Sequence, residues 1–328
     1  MSTLSNMSRA LRLAAAGFLA LGLVNGAASS AELTKLRVST IPIADTASFE
    51  VARQKGFFAA EGLEIDTTPT SGGAVGIPAL MSGQLQIAYS NVVSIVLAAS
   101  QGLDLVIVAA ADETGDAPPD LAGLVTKPGA GFKDGKALEG KRIAVNSRNN
   151  IIWLYTREWI AKTGGDPNKV NYIEVPFPQM TDAVLQGRVD AAMLVEPFLS
   201  GGLNSKQLET VGWPYSTVQK RLPVSQFATT RAYAEANPEI LEKFRRALAK
   251  ATDWTNANIQ SDEFLGILSG YTKAPVERIK AATMPIFVTT VDPASVEFVA
   301  SLMKRHGILR NEVDAAALIH PAVRVSRK

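Results

Sequence analysis

The chain has 328 residues, with 33 basic and 31 acidic side chains, two histidines, no cysteine, 47% hydrophobic and 20% charged residues. That length accommodates two domains of ordinary size, and the balance excludes a long disordered block and a strongly basic nucleic-acid-binding surface. Without cysteine there is no disulfide, no lipid-modified N-terminal Cys and no thiolate metal site.

Arg9 and Arg12 precede the apolar run Leu13–Val24 and a stretch of small residues, the order of a cleavable signal peptide. The run is too short to cross a bilayer, which takes ~20 apolar residues. Ser29-Ser30-Ala31 fits the cleavage rule, so residues 1–31 are read as the signal peptide and Glu32 as the mature start. The product is then a soluble exported protein, periplasmic, with 31 charges of each sign. A short membrane anchor or a disordered tail is the competing reading of this segment.

From Glu32 the pattern predicts a strand at Leu36–Ile41, a polar break, and a helix at Ala47–Gln54 stopped by Gly56. A strand at Gly62–Thr67 leads to the glycine loop Thr70–Gly73. Then comes ALMSGQLQIAY, Ala79–Tyr89, which returns at an offset of 104 residues as AVLQGRVDAAM, Ala183–Met193. Each copy is a short apolar helix closed by a glycine, then a turn and a small-residue strand. Each has strand–helix–strand upstream: Lys141–Asn146 and Asn171–Val175 are the second set. A β-α-β-α-β order implies right-handed crossovers and a mostly parallel sheet. Leu105–Ala110 is apolar throughout, as a buried parallel strand is.

Asp112–Asp120 breaks the composition and reads as the passage into a second lobe that opens with a strand at Ala122–Thr126. The return lies near Thr210–Val211 and Pro214–Pro223, and from Val224 onward the pattern is helical. Asn237-Pro238 begins an amphipathic helix of about five turns. The expected architecture is α/β with two lobes: residues 32–112 plus 222–328 form lobe one and residues 113–221 lobe two. Two crossings make a hinge, and the cleft between such lobes is where a small molecule binds.

Candidate contacts follow from the ends of the parallel strands, where ligand crevices lie. In lobe one these are Asp45 and Thr46, Ser71, Gly72 and Gly73, and Ser90 and Asn91. In lobe two they are Asn146, Ser147, Arg148 and Asn149, with Gln179 and Glu196. Helix N-termini at such ends favour an anion by ~0.3–2 kcal/mol. Two readings are open for Arg148: a bidentate grip on a carboxylate or sulfonate, or a solvated loop residue beside a capping Asn. Glu196 either accepts from the ligand or is a structural carboxylate bonded to a neighbouring helix. Trp153 either reaches the cleft or joins the core stripe of Tyr155 and Trp159.

Catalytic motifs are thin. His306 and His320 are far from every polar loop, and no G-x-S-x-G elbow, dinucleotide fingerprint or P-loop occurs. Asp112 and Glu113 are adjacent and point apart on an extended segment, which argues against an acid/base pair. No metal site and no cofactor are expected.

The stretch LRVSTIPIADTASFEVARQKGFFAAEGLEID resembles the opening of the nitrate/sulfonate/taurine-type, hydroxymethylpyrimidine-synthase-like solute-binding proteins of ABC transporters. ALMSGQLQIAYSN, LEGKRIAVNSRNNIIW, DAVLQGRVDAAMLVEPF and ANPEILEKFRRAL resemble further family stretches in the same order. The resemblance implies the two-lobed periplasmic binding protein fold (type II). It also implies a monomer that binds a small-molecule ligand, does no catalysis, and docks transiently on an inner-membrane ABC permease. Gln86 departs from the family's usual Asp, which Asp190 keeps, and an acid at position 45 opposes an anionic ligand. A sulfonate, carboxylate or related organic anion leads, and a neutral or zwitterionic heterocycle comes second. The alternatives are an enzyme on the same fold, of pyrimidine-precursor or menaquinone-pathway type, or a sensor partner that presents ligand to a receptor. The missing Cys-rich motif and the signal peptide argue against the enzymes.

Overall fold

The computed structural model describes residues 33–309 and 311–325. The signal-peptide segment and the cleavage site therefore lie outside the described residues.

Two sheets organise the chain. The first contains β1 (Thr34–Thr40), β2 (Leu63–Pro69), β3 (Ile87–Asn91), β4 (Leu105–Glu113), β10 (Ser225–Thr230) and β11 (Ile286–Phe287), in the order β11-β4-β10-β3-β1-β2. The second contains β5 (Ala122–Thr126), β6 (Arg142–Val145), β7 (Asn171–Glu174), β8 (Ala191–Val195) and β9 (Glu209–Gly212), in the order β7-β6-β8-β5-β9. β1 pairs in parallel with β2 and β3, and β6 with β7 and β8. Only β5 runs against its sheet in the second, and β10 with the two-residue β11 in the first. β5 and β10 are each the first strand after the chain changes sheet. A strand that enters from the neighbouring sheet arrives at the carboxyl ends of its new neighbours, so it runs reversed.

β10 corrects the helical reading of the chain after Val224. Its residues SQFATT are buried almost throughout, because it lies in the middle of the first sheet, and a six-residue buried strand carries little period of its own. β4 likewise runs on past Ala110 to Glu113, all of it buried. The linker read at Asp112 therefore begins after Glu113.

The internal repeat is structural. In the first copy Arg37 donates from its backbone N and its Nε to Gln86 Oε1 (3.0 and 3.2 Å) and from Nη2 to the Gly83 carbonyl (2.8 Å). In the second, Arg142 donates from N and Nε to Asp190 Oδ2 (2.8 and 3.2 Å) and from Nη2 to the Gly187 carbonyl (2.9 Å). Gly83 and Gly187 hold φ of 75° and 71°, the left-handed region that a Cβ disfavours. Gln86 thus keeps the acceptor role of its counterpart and loses only the ion pair. Both side chains lock a strand to the turn before it.

Behind the first sheet, the helix Pro238–Asn258 buries Leu241, Phe244, Leu248, Ala251 and Thr255 as a stripe along one face, as its amphipathic pattern leads one to expect. Phe244 meets Phe49, Phe58 and Phe227 there. Among the described residues, no helix is long and apolar enough to cross a membrane.

Candidate binding cleft

Strand ends from both sheets line one cavity of ≈ 30 Å³. Ile41, Ile43 and Asp45 follow β1, Tyr89 and Asn91 close β3, and Val224 and Ser225 start β10. The second sheet supplies Asn146, Asn150, Ile151 and Ile152 after β6, Phe177 after β7, and Val195 at the end of β8. Tyr215 completes the lining. An apolar chamber of ≈ 280 Å³ adjoins it and shares Ile41, Ile43 and Phe177; prolines 42, 69, 176 and 178 and Phe198 wall it. The two sheets meet across this space, where Asn146 Nδ2 donates to the Ser71 carbonyl (3.3 Å).

Two asparagines at the cavity cap helices. Asn91 Oδ1 accepts from Ser94 N (2.9 Å), and Asn150 Oδ1 accepts from Trp153 N (3.1 Å). Asn150 Nδ2 then donates to Asn146 Oδ1 (2.7 Å). These caps satisfy helix N–H groups that would otherwise face a ligand.

The acidic end is the chemically distinctive part. Asp45 is 2% exposed and Asp112 fully buried, and their carboxyls lie within hydrogen-bond reach of each other. Burial raises both, Asp45 to about 7 and Asp112 well above the ordinary carboxylate range. The bond between them lowers Asp45 and raises Asp112, so Asp112 is the protonated donor of the pair. Ser225 stands beside Asp112. Ser225 hydrogen-bonds to Asp112 and lowers it less than burial raises it, and among the described residues Asp45 Oδ2 meets no donor besides the proton of the pair. Among the described residues no Lys or Arg lines the cavity. Among the described residues no cluster of His, Cys, Asp and Glu has the arrangement of a metal site.

Of the residues singled out in the sequence, Asp45, Gly73, Asn91 and Asn146 come together here. A Cβ on Gly73 would stand 2.5 Å from Ser90 Oγ and 2.8 Å from Asn91 N, so the glycine loop can lie flat on the strand end. Ser90 is buried beneath that loop, Ser71 lines the apolar chamber, and Gly72 packs against Asn146. Thr46 donates to the Ile41 and Ile43 carbonyls (2.7 and 3.0 Å) and supports the turn that carries Asp45. Ser147 bonds the Arg148 carbonyl, Asn149 borders a separate crevice, and Gln179 is exposed.

Arg148 is the main departure. Its guanidinium donates to the Tyr172 carbonyl and its backbone N to Glu174 Oε1 (2.6 Å), at the outer strand β7. Glu196 takes the structural option: it accepts from Ser200 N and Oγ (3.0 and 2.6 Å) and from Thr283 N (3.1 Å). Burial raises it to about 7. Trp153 packs against Tyr172 and under the Arg157 guanidinium, as part of the core. Sequence reasoning missed Asp112, Tyr89, Tyr215 and Ser225. The available signal for Asp112 was an acid at the carboxyl end of an otherwise apolar strand.

A family model described as NMT1/THI5 like matches residues 44–261. YtlA of Bacillus subtilis (strain 168) is 26% identical over 233 residues, 70% of this chain and 69% of that protein. A formylaminopyrimidine-binding protein of Halalkalibacterium halodurans is 27% identical over 237 residues, 66% of this chain and 64% of that protein. Among solved structures, the alkanesulfonate-binding protein SsuA from Xanthomonas axonopodis pv. citri bound to MOPS superposes with a TM-score of 0.76 at 16% identity. That match covers 90% of this chain and all of the other.

Proposed function

The chain belongs to the NMT1/THI5-like family, and on that premise we propose that it is the periplasmic solute-binding protein of an ABC importer. It holds one small organic molecule between two lobes and hands it to a permease. The observation that carries this reading is the cavity itself, built from strand ends of both sheets around the buried carboxyl of Asp45. In this reading residues 32–112 plus 222–328 form one lobe and residues 113–221 the other; the division of the strands between two sheets supports it. Ligand entry then requires the Asn146–Ser71 bond to open.

Mass spectrometry of the protein isolated from periplasm, followed by calorimetry and small-angle scattering with the compound that copurifies, tests the proposal. One site per chain and a more compact bound particle are expected. Turnover of that compound above a heat-killed control would sink it.

A sulfonate-type anion finds no cation on the lining among the described residues, because Arg148 is held at the Tyr172 carbonyl. Arg148→Ala is therefore expected to leave affinity for the copurified compound within about twofold, well under 1 kcal/mol. A loss of about tenfold or more would return the guanidinium to the ligand.

A further inference from the structure

We propose that the acidic end of the cleft docks an N–H-donating cationic group, an amidinium or a protonated aminoheterocycle, carried on a flat apolar ring. The inference rests on the solute-binding reading and names the ligand class of that same site.

Asp45 is buried and lines the cavity, and apart from the proton shared with Asp112 its Oδ2 meets no donor among the described residues. A polar atom in that position costs free energy until a partner arrives. Asp112 stands behind Asp45 as a proton donor, so the pair presents one carboxylate rather than two charges. A forked N–H donor on that carboxylate makes charge-assisted hydrogen bonds, the strong kind in a low-dielectric site. An anion would meet like charge there, and the Asn91 and Asn150 caps leave few helix N–H groups to offset it. The adjoining chamber decides the rest of the molecule. Phe177 and Phe198 lie near parallel (13°) with ring centroids 6.4 Å apart, among prolines and isoleucines, which suits a planar apolar ring.

Benzamidine and benzenesulfonate are matched probes, one ring with opposite charges. Calorimetry on the full mature chain near pH 8 is expected to give one benzamidine site with Kd below about 1 mM, and no competition by benzenesulfonate. Asp45→Asn is expected to weaken benzamidine by about tenfold or more, the worth of a charge-assisted bond. Three results would overturn the assignment: tighter binding of benzenesulfonate, no benzamidine binding, or wild-type benzamidine affinity in a folded Asp45→Asn protein. Should that variant not fold, the preference of the unmutated chain between the two probes decides alone. Small-angle scattering of the same samples reads the solute-binding proposal separately, because that proposal needs a more compact liganded particle whichever probe binds.

Discussion

Phe244→Ala should cost about 3–5 kcal/mol of folding stability, the range for emptying an aromatic from a core. Phe244 is fully buried, and its ring centroid lies 5.2 Å from Phe58, 5.5 Å from Phe227 and 6.4 Å from Phe49. Those partners come from two early helices and from β10, so one side chain ties the start of the chain to its return from the second sheet. The surroundings are stiff: Phe49 and Phe227 also touch each other (5.3 Å) and cannot both move into the gap. Denaturant unfolding at fixed pH gives the number. A loss below about 1 kcal/mol would mean that the site collapses freely, against its packing. Ligand affinity of the folded variant should be unchanged, because the cluster lies behind the sheet and the cleft at its edge.

How much of this was legible depends on how local each signal is. The 104-residue repeat carried strand, turn and glycine together, so Gly83 and Gly187 were placed by pattern and sit in left-handed turns. The helix Ala47–Gln54 and the stripe from Leu241 to Thr255 were equally local. β10 was not, because a buried central strand takes its conformation from β3 and β4 on either side. The candidate residues followed the same division. Asp45 and Asn146 sit at strand ends that the repeat locates. Arg148 is one loop away, yet its direction depends on a carbonyl of β7, 24 residues on. The Asp45–Asp112 pair joins positions that only the sheet order brings together. Adjacency in sequence drew attention to Asp112 with Glu113, whereas the carboxyl partner of Asp112 lies across the sheet.

That pair makes the stability of the free protein depend on pH in an unusual direction. An ordinary native carboxylate has a lowered pKa and destabilises the fold when acid protonates it. Asp45 is raised by burial, from the usual 3.8 to about 7, so between those values the folded chain holds a proton that the unfolded chain has released. Stability from this group is therefore complete below about pH 4 and lost as pH rises through about 7. Three units at 1.36 kcal/mol each give about 4 kcal/mol. Glu196, raised to about 7 by burial, and Asp112, raised further, act with the same sign. Tyr89 and Tyr215, raised by burial and by these carboxyls, stay neutral throughout. His306 and His320, lowered by burial, oppose the trend as pH falls below 6.5, and the lowered Asp190 and Glu139 oppose it in stronger acid. Asp45→Asn isolates the one group, since Asn cannot ionise and still accepts from protonated Asp112. At pH 8 the variant should be more stable than the unmutated chain by up to about 4 kcal/mol, with the difference closing toward pH 4. Thermal or denaturant unfolding of both proteins without ligand, at matched pH from 8 to 4, measures it. A variant no more stable at pH 8, or a gap that does not change with pH, would mean that Asp45 is already ionised at ordinary cost. The opposite signs then belong together: the substitution expected to stabilise the fold is the one expected to weaken binding of a cation, because the same buried carboxyl is strained without a ligand and satisfied with one.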